Sequence, residues 1–277
     1  MIKIELLNVQ DELVISKFDN KKEELPVSKY GTELCALGIK DYVYEIGDKI
    51  RVTVDRFPDY YMVQLDESLA PSLVYFTVKE WIFDIPLAEN LKASGPSTAF
   101  QAVRHHLMVR KAYDFEVRNY QNLSYNTHDQ KKSSGVFPHA SANVETRDES
   151  VFFAKNAIDG KLANGSHGRY PFASWGINQQ VDAALTIEFG REIEVDKIAL
   201  LLRADFPHDS YWTDVEIVFS NNESREFETI KSDQFQVYEF PSVRTCSITL
   251  KNMKKALDDS PFPALTQIEV FGENIVD

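Results

Sequence analysis

The sequence predicts an all-β protein that consists of two antiparallel β-sandwich domains of the jelly-roll type. Apolar and polar residues alternate with a period of two along several segments, as they do in half-buried antiparallel strands. Short apolar runs are separated by clusters of Gly, Pro, Asn, Asp and Ser, which are turn residues. The chain of 277 residues is longer than a typical single domain of about 150 residues, which favours two domains.

Alternation is clearest in residues 50–54, 185–189 and 215–219, where apolar side chains at every second position flank polar or charged ones. Such a pattern places one row of side chains in a core and the other row toward solvent. Residues 97–107 have apolar residues at helical spacing, so helix and strand both stay open there, with a strand at the carboxyl end. Shorter apolar runs predict further strands at residues 61–65, 73–78, 197–202, 235–240, 246–250 and 266–271.

A polar stretch at residues 127–135 (THDQKKSSG) lacks apolar periodicity and predicts a domain boundary. We therefore expect a first domain at residues 1–132, of unassigned role, and a second at residues 133–277. Their formal charges are −3 and −10, so the second domain is markedly more acidic.

Composition excludes several functional classes. The net charge of −13 argues against a nucleic-acid partner, because the chain would repel a phosphate backbone. No run of about 18 apolar residues predicts a membrane span, and the first ten residues do not resemble an export signal, so a cytoplasmic location is expected. Cys35 and Cys246 are far apart in sequence and predict no disulfide framework. The usual nucleotide, dinucleotide, hydrolase-elbow and zinc-protease motifs are also absent from the sequence.

The second half contains an ordered set of short motifs. Ala-Ile-Asp-Gly at residues 157–160 is followed by Trp175, and Ile-Glu-Val-Phe-Gly closes the set at residues 268–272. In this order and spacing, residues 137–272 resemble the discoidin or coagulation factor 5/8 type C family. That family has a galactose-binding-like jelly-roll fold, so the resemblance implies this fold for the second domain.

The resemblance also implies a structural cation, with Ca²⁺ as the expected ion. Its ligands would be Asp159, Glu269 in the closing strand, and backbone oxygens around Asn156 and Asn164. Ca²⁺ requires six to eight oxygen ligands, which an Asp-Gly turn can supply in part. The segment from Gly160 to Trp175 is longer than in many relatives, and the alternative is an Asp-Gly turn whose carboxylate caps local amides without a metal.

A second group of polar and aromatic residues lies at residues 203–212 (RADFPHDSYW), directly after an apolar strand. Aromatic faces cover the C–H surfaces of sugar rings, and planar charged groups hydrogen-bond to vicinal hydroxyls. Alternatively, the two tryptophans belong to the core and Arg203 pairs with a loop aspartate. The candidate ligand-binding residues, including those of the neighbouring glycine-flanked loop, are His167, Arg169, Trp175, Arg203, Asp205, His208, Asp209 and Trp212.

Together these features predict a non-catalytic carbohydrate-binding protein, with the ligand held by loops at one end of the second domain. The alternative is an intracellular glycan-processing enzyme or enzyme subunit that uses His128, Asp129, His167 or Asp205 at the domain interface. A third hypothesis is a protein-interaction scaffold. A concave polar pocket would favour a sugar ligand, whereas a flat apolar patch would favour a protein partner.

Overall fold

The computed structural model describes residues 1–17, 24–163, 169–203 and 210–276, and nearly all of its regular structure is β. The chain divides into two compact units. Unit 1 comprises Met1–Tyr113 and Ser134–Val136, and unit 2 comprises Asp114–Ser133 and Phe137–Asp277. Within the described ranges, no helix has both the length and the apolar character that a membrane span requires.

Unit 1 is a sandwich of two antiparallel sheets, with strand orders β4-β1-β6-β9 and β12-β8-β7-β10-β5, and a separate β2-β3 pair. It also contains a short helix, α1, at Glu89–Lys92. Its strands are β1 (Ile2–Leu7), β2 (Ile15–Lys17), β3 (Glu24–Pro26), β4 (Ser28–Gly31), β5 (Leu34–Lys40), β6 (Lys49–Val54), β7 (Asp59–Gln64), β8 (Ser72–Phe76), β9 (Glu80–Asp84), β10 (Arg104–Lys111) and, after the chain returns, β12 (Val136–Phe137).

Alternation along the strands builds the core of unit 1. In β6, Ile50, Val52 and Val54 are buried, and the residues between them are partly exposed. Buried residues of both sheets, among them Ile4 and Val109, belong to one hydrophobic cluster. The region with helical spacing becomes a strand from Arg104 onward. The sandwich predicted for the first half is therefore confirmed.

Unit 2 contains the longest strands of the chain and three short 3-10 helices. The helix α2 spans Asp114–Arg118, and the 3-10 helices span Thr146–Asp148, Ser150–Phe152 and Ala154–Ile158. Its strands are β11 (Gln121–Asn122), β13 (His139–Ala142), β14 (Trp175–Gly176), β15 (Leu185–Leu202), β16 (Trp212–Phe219), β17 (Ser224–Glu228), β18 (Gln236–Lys255) and β19 (Ala264–Asn274).

The sheet of unit 2 folds over on itself because β15 and β18 are long and irregular. The first part of β15 pairs with β13 and with residues 247–250 of β18, and its last part pairs with β19 and with residues 236–245 of β18. A register shift between Glu188 and Ile193 contains Gly190, whose φ of 68° suits glycine. Both parts bury their apolar rows in one cluster, so unit 2 is also a sandwich.

The units divide at a different place from the predicted boundary between residues 132 and 133. The Leu123 amide donates to the Val270 carbonyl at 2.7 Å, and the Ser124 hydroxyl donates to the Ile268 carbonyl at 3.0 Å. These bonds fix residues 114–133 to unit 2, while Val136 is 3% exposed in the core of unit 1. The polar side chains of Ser124, Asn126 and Asp129 therefore take part in buried hydrogen bonds, whereas residues 131–133 are exposed.

We predict that a fragment of residues 114–277 folds and that a fragment of residues 133–277 is much less stable. The shorter fragment lacks the hydrogen-bond partners of several buried groups in unit 2, and each unsatisfied buried group costs about 1 to 3 kcal/mol. Amide dispersion in proton NMR spectra and thermal melting of both fragments test this. Equal melting temperatures would show that residues 114–132 are dispensable for unit 2.

Candidate functional site

The two predicted ligand-facing tryptophans lie in the core of unit 2. Trp175 is 0% exposed and Trp212 is 1% exposed, and their ring centroids are 6.4 Å apart. The Trp175 indole N–H donates to the Val144 carbonyl at 3.0 Å, which satisfies the polar atom of that ring. In this arrangement neither ring is open to a ligand. We therefore assign both tryptophans to the support beneath the loops.

Arg203 follows β15 and connects two chain segments at this end of unit 2. The residue is 3% exposed, and its Nη1 donates to the Phe172 carbonyl at 2.8 Å. Its backbone N–H donates to the Ala264 carbonyl at 2.9 Å. The guanidinium thus holds the loop around Phe172 against the end of β15. This is a loop-anchoring role, with a backbone carbonyl as the observed partner.

Of the other residues predicted to bind the ligand, the structure describes Arg169. Arg169 is exposed, and the adjacent Tyr170 is 53% exposed. Desolvation raises the pKa of the Tyr170 hydroxyl, with Lys161 opposing the shift and Asp159 adding to it, so both charges lie near the ring. The predicted residues outside the described ranges are Asn164, His167, Asp205, His208 and Asp209.

The Asp-Gly turn forms at the end of the 3-10 helix Ala154–Ile158. The Asp159 carboxylate accepts the Lys161 backbone N–H at 3.0 Å and forms an ion pair with the Lys161 ammonium. The Asn156 side-chain oxygen accepts the Lys155 ammonium at 3.4 Å, and its nitrogen donates to the Ser150 carbonyl at 2.8 Å. The Asp159 carboxylate, which was expected to bind the metal, therefore faces an ammonium group. The Asn156 side-chain oxygen also faces one.

The closing strand contributes a different residue to this turn than the sequence predicts. Gln267 Oε1 accepts the Gly160 N–H at 3.2 Å, whereas Glu269, two residues along the same strand face, lines a separate hollow on the outer sheet surface. Among the described residues no cluster of three His, Cys, Asp or Glu side chains is placed to hold a metal ion. Asn164 lies outside the described residues, and calcium binding stays a prediction of the family resemblance.

The residues of the enzyme hypothesis that the structure describes are enclosed in unit 2. His128 is 1% exposed, and desolvation lowers its pKa to about 3, so its imidazole is neutral near pH 7. The Asp129 carboxylate accepts the Ala140 N–H at 2.8 Å and contacts His139 Nδ1 at 2.8 Å. With side-chain exposures of 4% and 3%, Asp129 and His139 form a buried structural pair.

Two residues that stabilise this end of unit 2, Lys161 and Asp258, were not predicted from the sequence. Lys161 directly follows the Asp-Gly turn and neutralises its carboxylate. Asp258 accepts the Ser210 hydroxyl at 2.8 Å and the Lys255 ammonium at 2.9 Å, which fixes the chain just before β16. Position next to a turn could have drawn attention to Lys161, but the Ser210–Asp258 contact joins residues 48 positions apart and depends on the fold.

We predict that Lys161→Met lowers the melting temperature of unit 2 in the absence of Ca²⁺. The substitution removes the cation beside a buried carboxylate, and an uncompensated buried polar group costs about 1 to 3 kcal/mol. Melting curves in Ca²⁺ and in chelator, for wild type and variant, provide the measurement. A wild-type midpoint that rises in Ca²⁺ would overturn the ammonium assignment and support the metal.

We also predict that the free energy of unfolding of unit 2 falls as pH rises above about 6.5, the ordinary pKa of histidine. Burial by itself lowers the pKa of His139, but the hydrogen bond and charge of Asp129 outweigh it and raise that pKa. A raised pKa stabilises the folded state fully below the unfolded pKa. That contribution, about 1.5 to 3 kcal/mol for a charged hydrogen bond, is lost as pH passes the folded pKa.

Urea unfolding in a Trp81→Phe background measures this dependence, because the two remaining tryptophans, Trp175 and Trp212, both report on unit 2. His139→Gln and Asp129→Asn should each flatten the profile in this pH range. A slope that persists in both variants would show that another group produces it.

No protein-family model matches the chain, and no curated protein matches it. Several solved structures match about half of it. The family 32 CBM from C. perfringens NanJ, in complex with galactose, is 17% identical, with 55% of this chain and 99% of that chain covered and a TM-score of 0.41. A fucose binding module from Streptococcus pneumoniae is 12% identical, with 55% and 98% covered and a TM-score of 0.39.

Chitosan-binding module 1 from a Paenibacillus sp. IK-5 chitosanase/glucanase is 18% identical, with 55% of this chain and 98% of that chain covered and a TM-score of 0.38. TM-scores near 0.4 at such low identity do not establish a shared function. The ligands named for these proteins remain properties of those proteins.

Proposed function

We propose that unit 2 is a non-catalytic carbohydrate-binding module whose ligand is held by loops at one end of its sandwich. The ligand-holding segments are residues 161–175 and 203–212, which include the predicted residues of both loops. The observation that carries this proposal is the exposed Tyr170 ring, two residues before the Phe172 carbonyl that Arg203 holds. The charges of Lys161 and Asp159 both act on the Tyr170 hydroxyl.

The chemistry of this end suits a polyhydroxylated ligand. The exposed face of Tyr170 can cover the C–H surface of a pyranose ring. The Lys161 ammonium and the exposed Arg169 guanidinium can donate charge-assisted hydrogen bonds to hydroxyl oxygens of such a ring. The buried Asp159 carboxylate is paired with Lys161 and positions that ammonium group.

Anchoring of the loop also lowers the entropy that binding must overcome. Buried Trp175 and Trp212 lie in the core beneath this end, and the Arg203 bond to Phe172 fixes the loop to the end of β15. The described residues around Phe172 are held in place before a ligand binds, so ordering them costs less conformational entropy on binding. Affinity can then come from few direct contacts.

The positions of His128 and Asp129 do not support the alternative that the protein is an enzyme. His128 and Asp129 are enclosed and engaged with neighbouring groups of unit 2, so neither is placed to act on a substrate. A carbohydrate ligand needs no catalytic pair, so the enclosure of these two residues is compatible with a binding function alone.

We predict that Tyr170→Ala weakens glycan binding at least tenfold without lowering the melting temperature, because the ring is exposed and contributes little to folding. Arg203→Ala should instead lower the melting temperature. It leaves the Phe172 carbonyl without its guanidinium donor at a cost of about 1 to 3 kcal/mol, or roughly 2 to 4 °C per kcal/mol for a unit of this size.

A glycan array identifies a ligand, and calorimetric titration then measures its affinity for each variant. Tyr30→Ala, which changes a 72% exposed tyrosine of unit 1, is the matched control and should bind normally. Absence of any glycan ligand for the wild type would refute the proposed function. Unchanged affinity in Tyr170→Ala would refute this location for the site.

A further inference from the structure

The outer face of the unit 2 sheet contains a hollow of about 430 Å³, within the size range of small-molecule sites. We call it the sheet-face hollow. Ala199 in β15 pairs with Glu269 of β19 on one side and with Val237 of β18 on the other. The alanine side chain is short, so the sheet surface is recessed at Ala199 between the longer side chains of Val237 and Glu269. The floor of the hollow is therefore Ala199.

Apolar and aromatic groups form most of the walls. Tyr120 and Phe271 lie nearly parallel, at an interplanar angle of 14° and a centroid distance of 6.4 Å. Phe235 and Val237 line the hollow as well. Rings and aliphatic groups in this arrangement suit a ligand that has a flat apolar face.

The Glu269 carboxyl is the unusual polar group of the hollow. It is partly buried, desolvation raises its pKa, and no described residue pairs with it through a hydrogen bond or an ion pair. An unpaired carboxylate next to apolar walls is unfavourable, and a ligand that supplies a cation would relieve that cost. Such a group points to a ligand more strongly than a solvated surface glutamate does.

The other polar side chains that line the hollow, Tyr120, Gln121 and Lys197, each have a hydrogen-bond or ion-pair partner within the chain. The Gln121 side-chain nitrogen donates to the Glu116 carbonyl at 2.6 Å and the Asn119 carbonyl at 3.1 Å, so its oxygen is the end that can accept. The Tyr120 hydroxyl donates to Asp196 at 2.6 Å. The Lys197 ammonium is paired with Glu239 at 3.0 Å. Apart from the Lys197 ammonium, which retains N–H donors beyond this pair, the groups described here offer acceptors and therefore favour a ligand with several donors.

We propose that the sheet-face hollow binds a protonated amino sugar, whose ammonium group pairs with Glu269 while the C–H face of its ring packs on the aromatic wall. The ring hydroxyls donate to acceptors such as the Gln121 oxygen. A flat apolar face, several donors and one positive charge are combined in this class of ligand. The net charge of −13 favours the approach of such a cation.

This hollow is independent of the loop site in the proposed function. Its residues come from β15, β18, β19 and the segment before and within β11, and none of them belongs to the loops that contain Tyr170 or Arg203. The two sites can therefore be inactivated separately. Failure of one leaves the other to be judged by its own variants.

The experiment measures calorimetric affinities of the full chain for a glucosamine oligomer and for its N-acetylated counterpart, which has the same rings without the charge. We expect the charged oligomer to bind about 10- to 100-fold more tightly, the contribution of a charge-assisted hydrogen bond. Glu269→Gln should abolish that preference. Glu226→Gln, the same change at an exposed position of β17, should retain it.

Ala199→Leu is a second variant that fills the hollow and retains Glu269, and it should also abolish the preference. Tyr170→Ala should leave the preference intact. Equal affinities of the wild type for the two oligomers, or a preference that survives in both Glu269→Gln and Ala199→Leu, would overturn the proposal. Equally tight binding of spermidine, which has charge without a ring, or of phenethylamine, an aromatic amine, would overturn the assignment to an amino sugar.

Discussion

The burial of polar side chains from residues 122–129 against unit 2 is the constraint on which both candidate sites depend. Buried Asp129 pairs with His139, and the Asn126 side chain donates to the Pro138 carbonyl at 2.8 Å. Each group would be costly to bury without its partner, so the segment has one satisfactory position. The Asn126 backbone N–H also donates to the Ile158 carbonyl and thereby fixes the 3-10 helix before the Asp-Gly turn.

From this segment the constraint extends in two directions. Toward the loop end, Tyr125 packs directly over Gly160, where a Cβ atom would lie 2.4 Å from the tyrosine ring, so the turn needs glycine at that position. That turn presents Asp159 and Lys161 near Tyr170. Toward the sheet face, β11 pairs with β19 and brings Tyr120 against Phe271. One docked segment thus contributes to both sites.

The carboxyl groups of Asp159 and Glu269 have different surroundings. At the turn, the Asp159 carboxylate has an ammonium group from the same chain as its partner, so it needs no external cation. On the sheet face, no residue that the structure describes pairs with the Glu269 carboxyl, and desolvation raises its pKa. A carboxylate that the chain has already neutralised is structural, whereas an unpaired one beside apolar walls is available to a ligand.

The sequence by itself determined the all-β class and the position of most strands, because a period of two in residues such as Ile50, Val52 and Val54 can be buried only on one face of a strand. It also placed the end of one strand at residue 202, where β15 ends. Whether Trp175 and Trp212 face ligand or core, and whether Gln267 or Glu269 meets the Asp-Gly turn, was decided by tertiary structure. Composition identifies side chains that are able to bind a sugar or a cation, but their partners come from distant parts of the chain. The Ser210–Asp258 and Asp129–His139 contacts and the hollow over Ala199 exist only once the strands are paired in register, because register decides which side chains share a face.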